Sequence, residues 1–112
     1  MGGRASKQKG NRFERECVER AIAKGLQAKR AWGSNGGALG EHEEVDILFT
    51  VGAFKWKAQA KVRKQMPGLL RPTEHVDIQV VKEDRGETFV VLKYDAFLDL
   101  LRLQQIADKV TA

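Results

Sequence analysis

Residues 45–63, VDILFTVGAFKWKAQAKVR, decide the fold. The first seven are rich in β-branched and aromatic side chains, and the last ten alternate apolar with polar ones, so both parts predict strands. Gly52 and Ala53 between them suit a two-residue hairpin turn with glycine at its first central position. Such a turn pairs Val51 with Phe54 and thereby fixes the register of every other pair.

This register predicts a chemical patch near the open end of the hairpin. Asp46 should lie opposite Gln59, and Glu44 opposite Lys61, with the facing Cβ atoms ~5 Å apart. The patch lies on the face opposite Trp56, and its carboxylate and lysine suit metal-assisted phosphodiester hydrolysis. The alternative is structural: Asp46 could simply end a strand, and Lys61 could protect a sheet edge.

Helices are predicted on both sides of the hairpin, because apolar residues recur at helical spacing over residues 12–24 and 94–107. Asn11 can cap the first helix, and Gly25 fits its end. The resulting fold class is α/β, a single domain with a mixed central β-sheet flanked by helices. The domain is expected to span residues 9–112, after a flexible basic arm at 1–8. Within the domain, the sequence also predicts strands at 26–31, 76–81 and 88–92, a short helix or irregular crossing at 66–71, and a glycine-rich loop at 32–40.

Composition favours a polyanionic partner, since the 112 residues carry a net charge of +5 and a pI near 9.6. The first twelve residues hold no acid, and neither do residues 47–73. Nucleic acid and an anionic membrane surface both fit, and a solvated basic face is the plain alternative. There is no apolar run long enough to span a membrane and no secretory signal, which predicts a soluble protein of the cytoplasm. The single Cys17 excludes a disulfide framework and is expected to be a small core residue.

Glu14 is a further candidate, because it lies at the edge of the apolar face of the first helix and could point toward the sheet. The alternative is a capping box formed with Asn11, and an acid in a first helical turn is favoured in any case.

Four short segments follow one another along the chain: KGNRFERE at 9–16, RAWGS at 30–34, VDI at 45–47 and QAK at 59–61. Together they resemble the motifs of the archaeal-type Holliday junction resolvases, within the PD-(D/E)xK nuclease superfamily. The resemblance covers roughly residues 7–64 and implies a restriction-endonuclease-like fold. By this resemblance the catalytic residues are Glu14, Asp46, Gln59, Lys61 and Ser34.

The same resemblance implies a cofactor and a partner. The cofactor is Mg²⁺, for which Mn²⁺ could substitute, and its ligands are Asp46, Gln59, Glu14 and the backbone of Ala60. The partner is branched DNA, cut by a homodimer, because two opposed strands of a four-way junction need two sites. The expected DNA-binding residues are Lys7, Lys9, Arg12, Arg15, Arg30, Lys55, Lys57, Arg63 and Lys64.

Two departures from the family keep other functions open. Gln59 stands where the family has glutamate, which allows a DNA-binding module with weakened catalysis. The short, proline-containing stretch at 64–73 and the segments after it look more like small bacteriophage nucleases, whose place of action would be the cytoplasm of the host. A nicking or repair nuclease of the same fold is a third possibility.

Overall fold

The computed structural model describes residues 3–31 and 36–111. They form a small α/β domain, which confirms the predicted fold class. Two single-turn 3₁₀ helices, Gly36–Leu39 and Gly68–Leu70, lie between the longer elements. In chain order, the longer elements are α1 (Gly3–Ala23), β1 (Gln27–Arg30), β2 (Ile47–Val51), β3 (Phe54–Ala58), β4 (Ile78–Lys82), β5 (Thr88–Leu92) and α2 (Tyr94–Thr111).

The described strands form two antiparallel sheets instead of one mixed central sheet. One has the order β1-β2-β3, and the other is the hairpin β4-β5. A parallel pair needs a long crossover connection, usually a helix. The connection between β3 and β4 contains Pro67, Pro72 and only the short turn at Gly68–Leu70, so it supplies no such crossover.

The predicted hairpin register is confirmed from Val51↔Phe54 to Ile47↔Ala58. Gly52 has a φ of 58°, the left-handed value that a glycine adopts without steric cost at the first position of this turn. The β3 strand is shorter than predicted, however, and ends at Ala58.

The core lies between the three-stranded sheet and the two helices. Phe49 in the central strand contacts the rings of Tyr94 and Phe97 at centroid distances of 6.4 and 5.7 Å. Cys17 is buried as predicted, and this burial raises the pKa of its thiol. The buried cluster consists of Cys17, Ala21, Leu26, Ala28, Ile47, Phe49, Val51, Leu98 and Leu101.

Helix α1 begins at Gly3, well before the predicted start at Arg12. The prediction was wrong because it followed apolar periodicity, whereas the added turns are polar and are built largely from good helix formers such as Arg4 and Lys7. Most of the expected basic arm is therefore helical, and Asn11 lies inside the helix instead of capping it.

The C-terminal end of α1 follows the prediction. Gly25 has a φ of 83°, and its N–H donates to Ile22 O at 2.9 Å. Leu26 N–H donates to Ala21 O at 3.0 Å, which completes a Schellman motif. Leu26 enters the core directly after this cap, so the cap also positions β1.

Helix α2 docks on α1 through polar contacts at the rim of the core. Arg20 binds Asp95 at 2.7 Å, and Lys24 binds Asp99 at 2.6 Å. The Tyr94 hydroxyl donates to Cys17 O at 2.6 Å. Among the described residues, neither helix is long and apolar enough to cross a membrane.

Candidate active site at the end of the three-stranded sheet

The open end of the hairpin departs from the regular ladder at Asp46. Its N–H donates to Ala58 O at 2.8 Å, although Ala58 is already the ladder partner of Ile47. Two residues of one strand thus face one of the other, the arrangement of a β-bulge. The predicted pairs of Asp46 with Gln59 and of Glu44 with Lys61 are therefore not formed, since the ladder ends at Ile47↔Ala58.

The Asp46 side chain takes over where the ladder stops. Its Oδ2 accepts the N–H of Ala60 at 2.8 Å, and the residue is only 9% exposed. The carboxylate thereby satisfies a backbone group that the next rung of the ladder would have used. It also anchors the segment in which Ala60 is flanked by Gln59 and Lys61, so these residues remain near one another by a different route from the one predicted.

Glu14, in α1, is the other buried acid among the described residues. It is 4% exposed and lies far inside the helix, which rules out the capping-box explanation. Arg30 Nη1 donates to Asn11 O at 3.3 Å, and Ala31 N–H donates to Asp46 O at 2.9 Å. These two contacts link the turn of α1 that precedes Glu14 to the strand end next to Asp46.

Glu14 and Asp46 stand out in their burial. Within residues 3–31 and 36–111 they are the buried polar or charged side chains, while the other acids are at least partly exposed. Removing a carboxylate from water costs free energy unless hydrogen bonds or a nearby positive charge compensate. Two such groups on different elements, whose segments are linked through Arg30 and Ala31, are thus a stronger sign of a site than either is alone.

Lys61 and Gln59 are exposed and flank Ala60, whose N–H binds the Asp46 carboxylate. Lys61 borders a cavity of about 510 Å³. Phe13, the residue before Glu14, lines the same cavity, so α1 and the lysine segment meet there. The other lining residues are Val62, Arg63, Met66, Pro67 and Leu70.

A larger basic trough of about 1030 Å³ crosses the sheet. Its position follows from the register: Lys29 pairs with Leu48, and Thr50 with Lys55, so these side chains share the face opposite Phe49 and the helices. Four of the lining residues are cationic and none is acidic, which suits a phosphate backbone. The trough is lined by Arg15, Gln27, Lys29, Arg30, Leu39, Leu48, Thr50 and Lys55.

The predicted DNA-binding residues are thereby divided. Arg15, Arg30 and Lys55 all line the trough. Lys29 lines it too, and the sequence analysis missed this residue although it lies two positions after Gln27 and so on the same face of β1. Lys57 instead forms an ion pair with Glu41 at 3.2 Å, so its charge is partly neutralised within the chain. Arg63 lines the smaller cavity, and Lys7, Lys9, Arg12 and Lys64 are exposed outside both. Ser34 lies outside the described residues.

The residues at the sheet end fit the donor preferences of Mg²⁺. They offer two carboxylates, the Gln59 amide oxygen and the Ala60 carbonyl, all hard oxygen donors, and Mg²⁺ is commonly held by one or two carboxylates with water completing its shell. No group of three or more His, Cys, Asp or Glu side chains placed to hold a metal occurs among the described residues. The site therefore carries fewer charged ligands than a site built on three carboxylates.

Comparison with family models, curated proteins and solved structures gives no match for this chain.

Proposed function

We propose that this chain is a metal-dependent DNA endonuclease that resolves four-way junctions, with its active site at the open end of the β2–β3 hairpin. The observation that carries the proposal is the burial of Glu14 and Asp46 on segments that meet near the exposed Lys61: Asp46 binds the N–H of Ala60, and Phe13, next to Glu14, lines the same cavity as Lys61. Buried carboxylates lower the stability of a fold unless something positive compensates for them. A divalent cation held by both carboxylates would add positive charge there and would supply the chemistry.

Each residue of the site has a distinct part. Asp46 is oriented by the Ala60 N–H, and it would hold the metal together with Glu14, the Gln59 amide oxygen and the Ala60 carbonyl. When bound, Mg²⁺ polarises a phosphoryl oxygen and lowers the pKa of a coordinated water. The exposed ammonium of Lys61 can contact the scissile phosphate and offset the negative charge that develops on its oxygens.

The basic trough supports DNA as the substrate. Arg15, Lys29 and Lys55 present positive charge across the sheet face, and Arg30 links the trough to the site because its neighbour Ala31 is hydrogen-bonded to Asp46. Backbone contacts of this kind position a nucleic acid without reading its sequence. The proposed preference for four-way junctions over other DNA comes from the family resemblance and not from the trough.

A cleavage assay with Mg²⁺ tests the proposal on four-way junction, duplex and flap substrates. We expect the junction to be cut fastest, and Lys61→Ala to lower the rate constant by at least ~10²-fold with little change in folding. Lys82→Ala is the matched control, because Lys82 is an exposed lysine on the other sheet and should have no effect. Faster cutting of the flap or the duplex would favour a repair or nicking nuclease.

A DNA-binding module with weakened catalysis is the second candidate. The neutral Gln59 favours it, because an amide oxygen attracts a divalent cation less than a carboxylate does. Junction binding without cleavage in either Mg²⁺ or Mn²⁺ would support this candidate over the nuclease.

A further inference from the structure

The smaller cavity, which Lys61 borders, combines apolar and cationic side chains. Five of its described lining residues are apolar, two are cationic and none is acidic. Its volume of about 510 Å³ lies within the range of ~300–1,000 Å³ that is usual for ligand-binding clefts. Val62 and Met66 in its lining are 38% and 49% exposed, so apolar surface stays open there. The cavity therefore suits a ligand that has both an apolar part and a negative charge.

Phe13 contributes an aromatic ring whose other side is supported by the core. The residue is half-buried and packs against the buried cluster, which restricts the movement of its ring. Nucleobases that have left the base stack bind to proteins largely by stacking on aromatic side chains. Such stacking accepts any base, because every base has a π-face. A nucleotide thus combines the apolar part and the charge that this cavity suits.

Most of the remaining apolar lining comes from a single stiff turn. Pro67 has a φ of −56°, which its ring fixes, and its carbonyl accepts the N–H of Leu70 at 3.0 Å. Met66, Pro67 and Leu70 all line the cavity. Because the turn is already ordered in the free chain, binding a ligand there loses less conformational entropy.

We propose that this cavity receives one unpaired nucleotide of the DNA substrate, with its base among the apolar side chains and an adjoining phosphate at Lys61 and Arg63. The proposal rests on the proposed function for the identity of the polymer, and it places the captured nucleotide next to the phosphate that Lys61 would contact. A base in an intact duplex must first be unstacked, and this costs least where the base is already unpaired. The cavity would therefore direct binding and cutting to DNA that contains unpaired nucleotides.

Binding to two bulged duplexes in the absence of metal tests this role. One duplex carries a single unpaired nucleotide, and the other carries an abasic residue at the same position, so the two differ only in the base. We expect the wild type to bind the first about tenfold more tightly, as the usual contribution of stacking one base indicates. Met66→Ala should bring the ratio of the two affinities close to one. Phe13→Leu, which keeps apolar packing on the core but removes the ring, should do the same.

Leu69→Ala is the matched control. Leu69 is 66% exposed on the same turn and is not among the described lining residues, so its loss should leave the ratio unchanged. Equal binding of the two duplexes by the wild type overturns the inference. Binding to phosphatidylserine vesicles that Met66→Ala abolishes, with no base preference on DNA, would assign the cavity to an anionic lipid and overturn it as well.

Photocrosslinking locates the captured base. With iodouracil as the unpaired base, we expect crosslinks to Phe13 or Met66, and crosslinks confined to other residues would overturn the inference. Neither measurement depends on cleavage. A chain that prefers the unpaired base but does not cut DNA in Mg²⁺ would refute only the nuclease, whereas a chain that cuts DNA but binds both duplexes equally would refute only the role of the cavity.

Discussion

Asp46 has a structural role and a proposed catalytic role, and two substitutions can separate these roles. Asp46→Asn retains an oxygen that can accept the Ala60 N–H, now bound at 2.8 Å, but removes the charge. Asp46→Ala removes the acceptor as well. The comparison therefore distinguishes a carboxylate needed for its charge from one needed only to end the β3 strand.

The expected magnitudes follow from this hydrogen bond. A bond to a charged group contributes ~1.5–3 kcal/mol and a neutral one ~0.5–1.5 kcal/mol, so Asp46→Asn should lower the free energy of unfolding by about 1 kcal/mol. The lower cost of burying a neutral amide offsets part of that loss. Asp46→Ala leaves the Ala60 N–H without its acceptor and should cost about 1–3 kcal/mol.

Cleavage should respond in a different pattern. Mutating a group that merely supports a metal ligand typically costs 10–100-fold, so the loss of a charged ligand should lower the rate by at least ~10²-fold in both variants. Junction binding should survive, because the basic trough is unchanged. The assays are urea unfolding, junction binding in the absence of metal, and single-turnover cleavage in Mg²⁺.

Asp77→Asn serves as the matched control, since it removes the same charge from an exposed position just before β4 and should cleave like the wild type. The reasoning is refuted if Asp46→Asn cuts near the wild-type rate. It is equally refuted if Asp46→Asn is as unstable as Asp46→Ala and a stabilising condition restores its cleavage, since the side chain would then be only a strand terminator.

Three further predictions concern the site and the fold. Gln59→Glu adds a charged oxygen donor, so cleavage should saturate at a lower Mg²⁺ concentration than in the wild type. A titration of the cleavage rate with Mg²⁺ checks this, and weaker metal dependence with slower cutting would contradict it. Gly52→Ala forces an L-residue to a φ of 58° and brings its Cβ into overlap with a carboxylate of α2, so urea unfolding should show a free energy of unfolding lower by about 1–3 kcal/mol. Gly10→Ala is the control: it lies in open space within α1 and should raise the free energy of unfolding by ~0.5–1 kcal/mol. Burial raises the pKa of Tyr94 from 10.0 to about 12, so the stability linked to this group is fully present below pH 10 and is lost as pH rises through 12. Ultraviolet titration of this single tyrosine checks the pKa, and the alkaline loss of stability should be reduced in Tyr94→Phe.

The sequence by itself determined the features that depend on neighbouring residues. Gly52 at the turn and the strict alternation after it determined the hairpin register, because a one-residue slip would expose the whole buried face of β2. Gly25 determined the end of α1, since its left-handed backbone closes the Schellman motif locally. The choice of Glu14, Asp46 and Lys61 as candidates also needed only residue type and spacing.

Only the tertiary structure decided how these candidates are placed. The bulge at Asp46 ends the ladder because its carboxylate binds Ala60 N–H across the hairpin, a contact that no alternation of apolar and polar residues encodes. Arg30 of β1 binds Asn11 O in α1, and the charge of Lys57 is partly neutralised by Glu41 from the loop before β2. Lys29 joins the basic trough through its pairing with Leu48. Each of these features depends on groups far apart in the chain, so the free energy that selects them appears only once the sheet and both helices have packed.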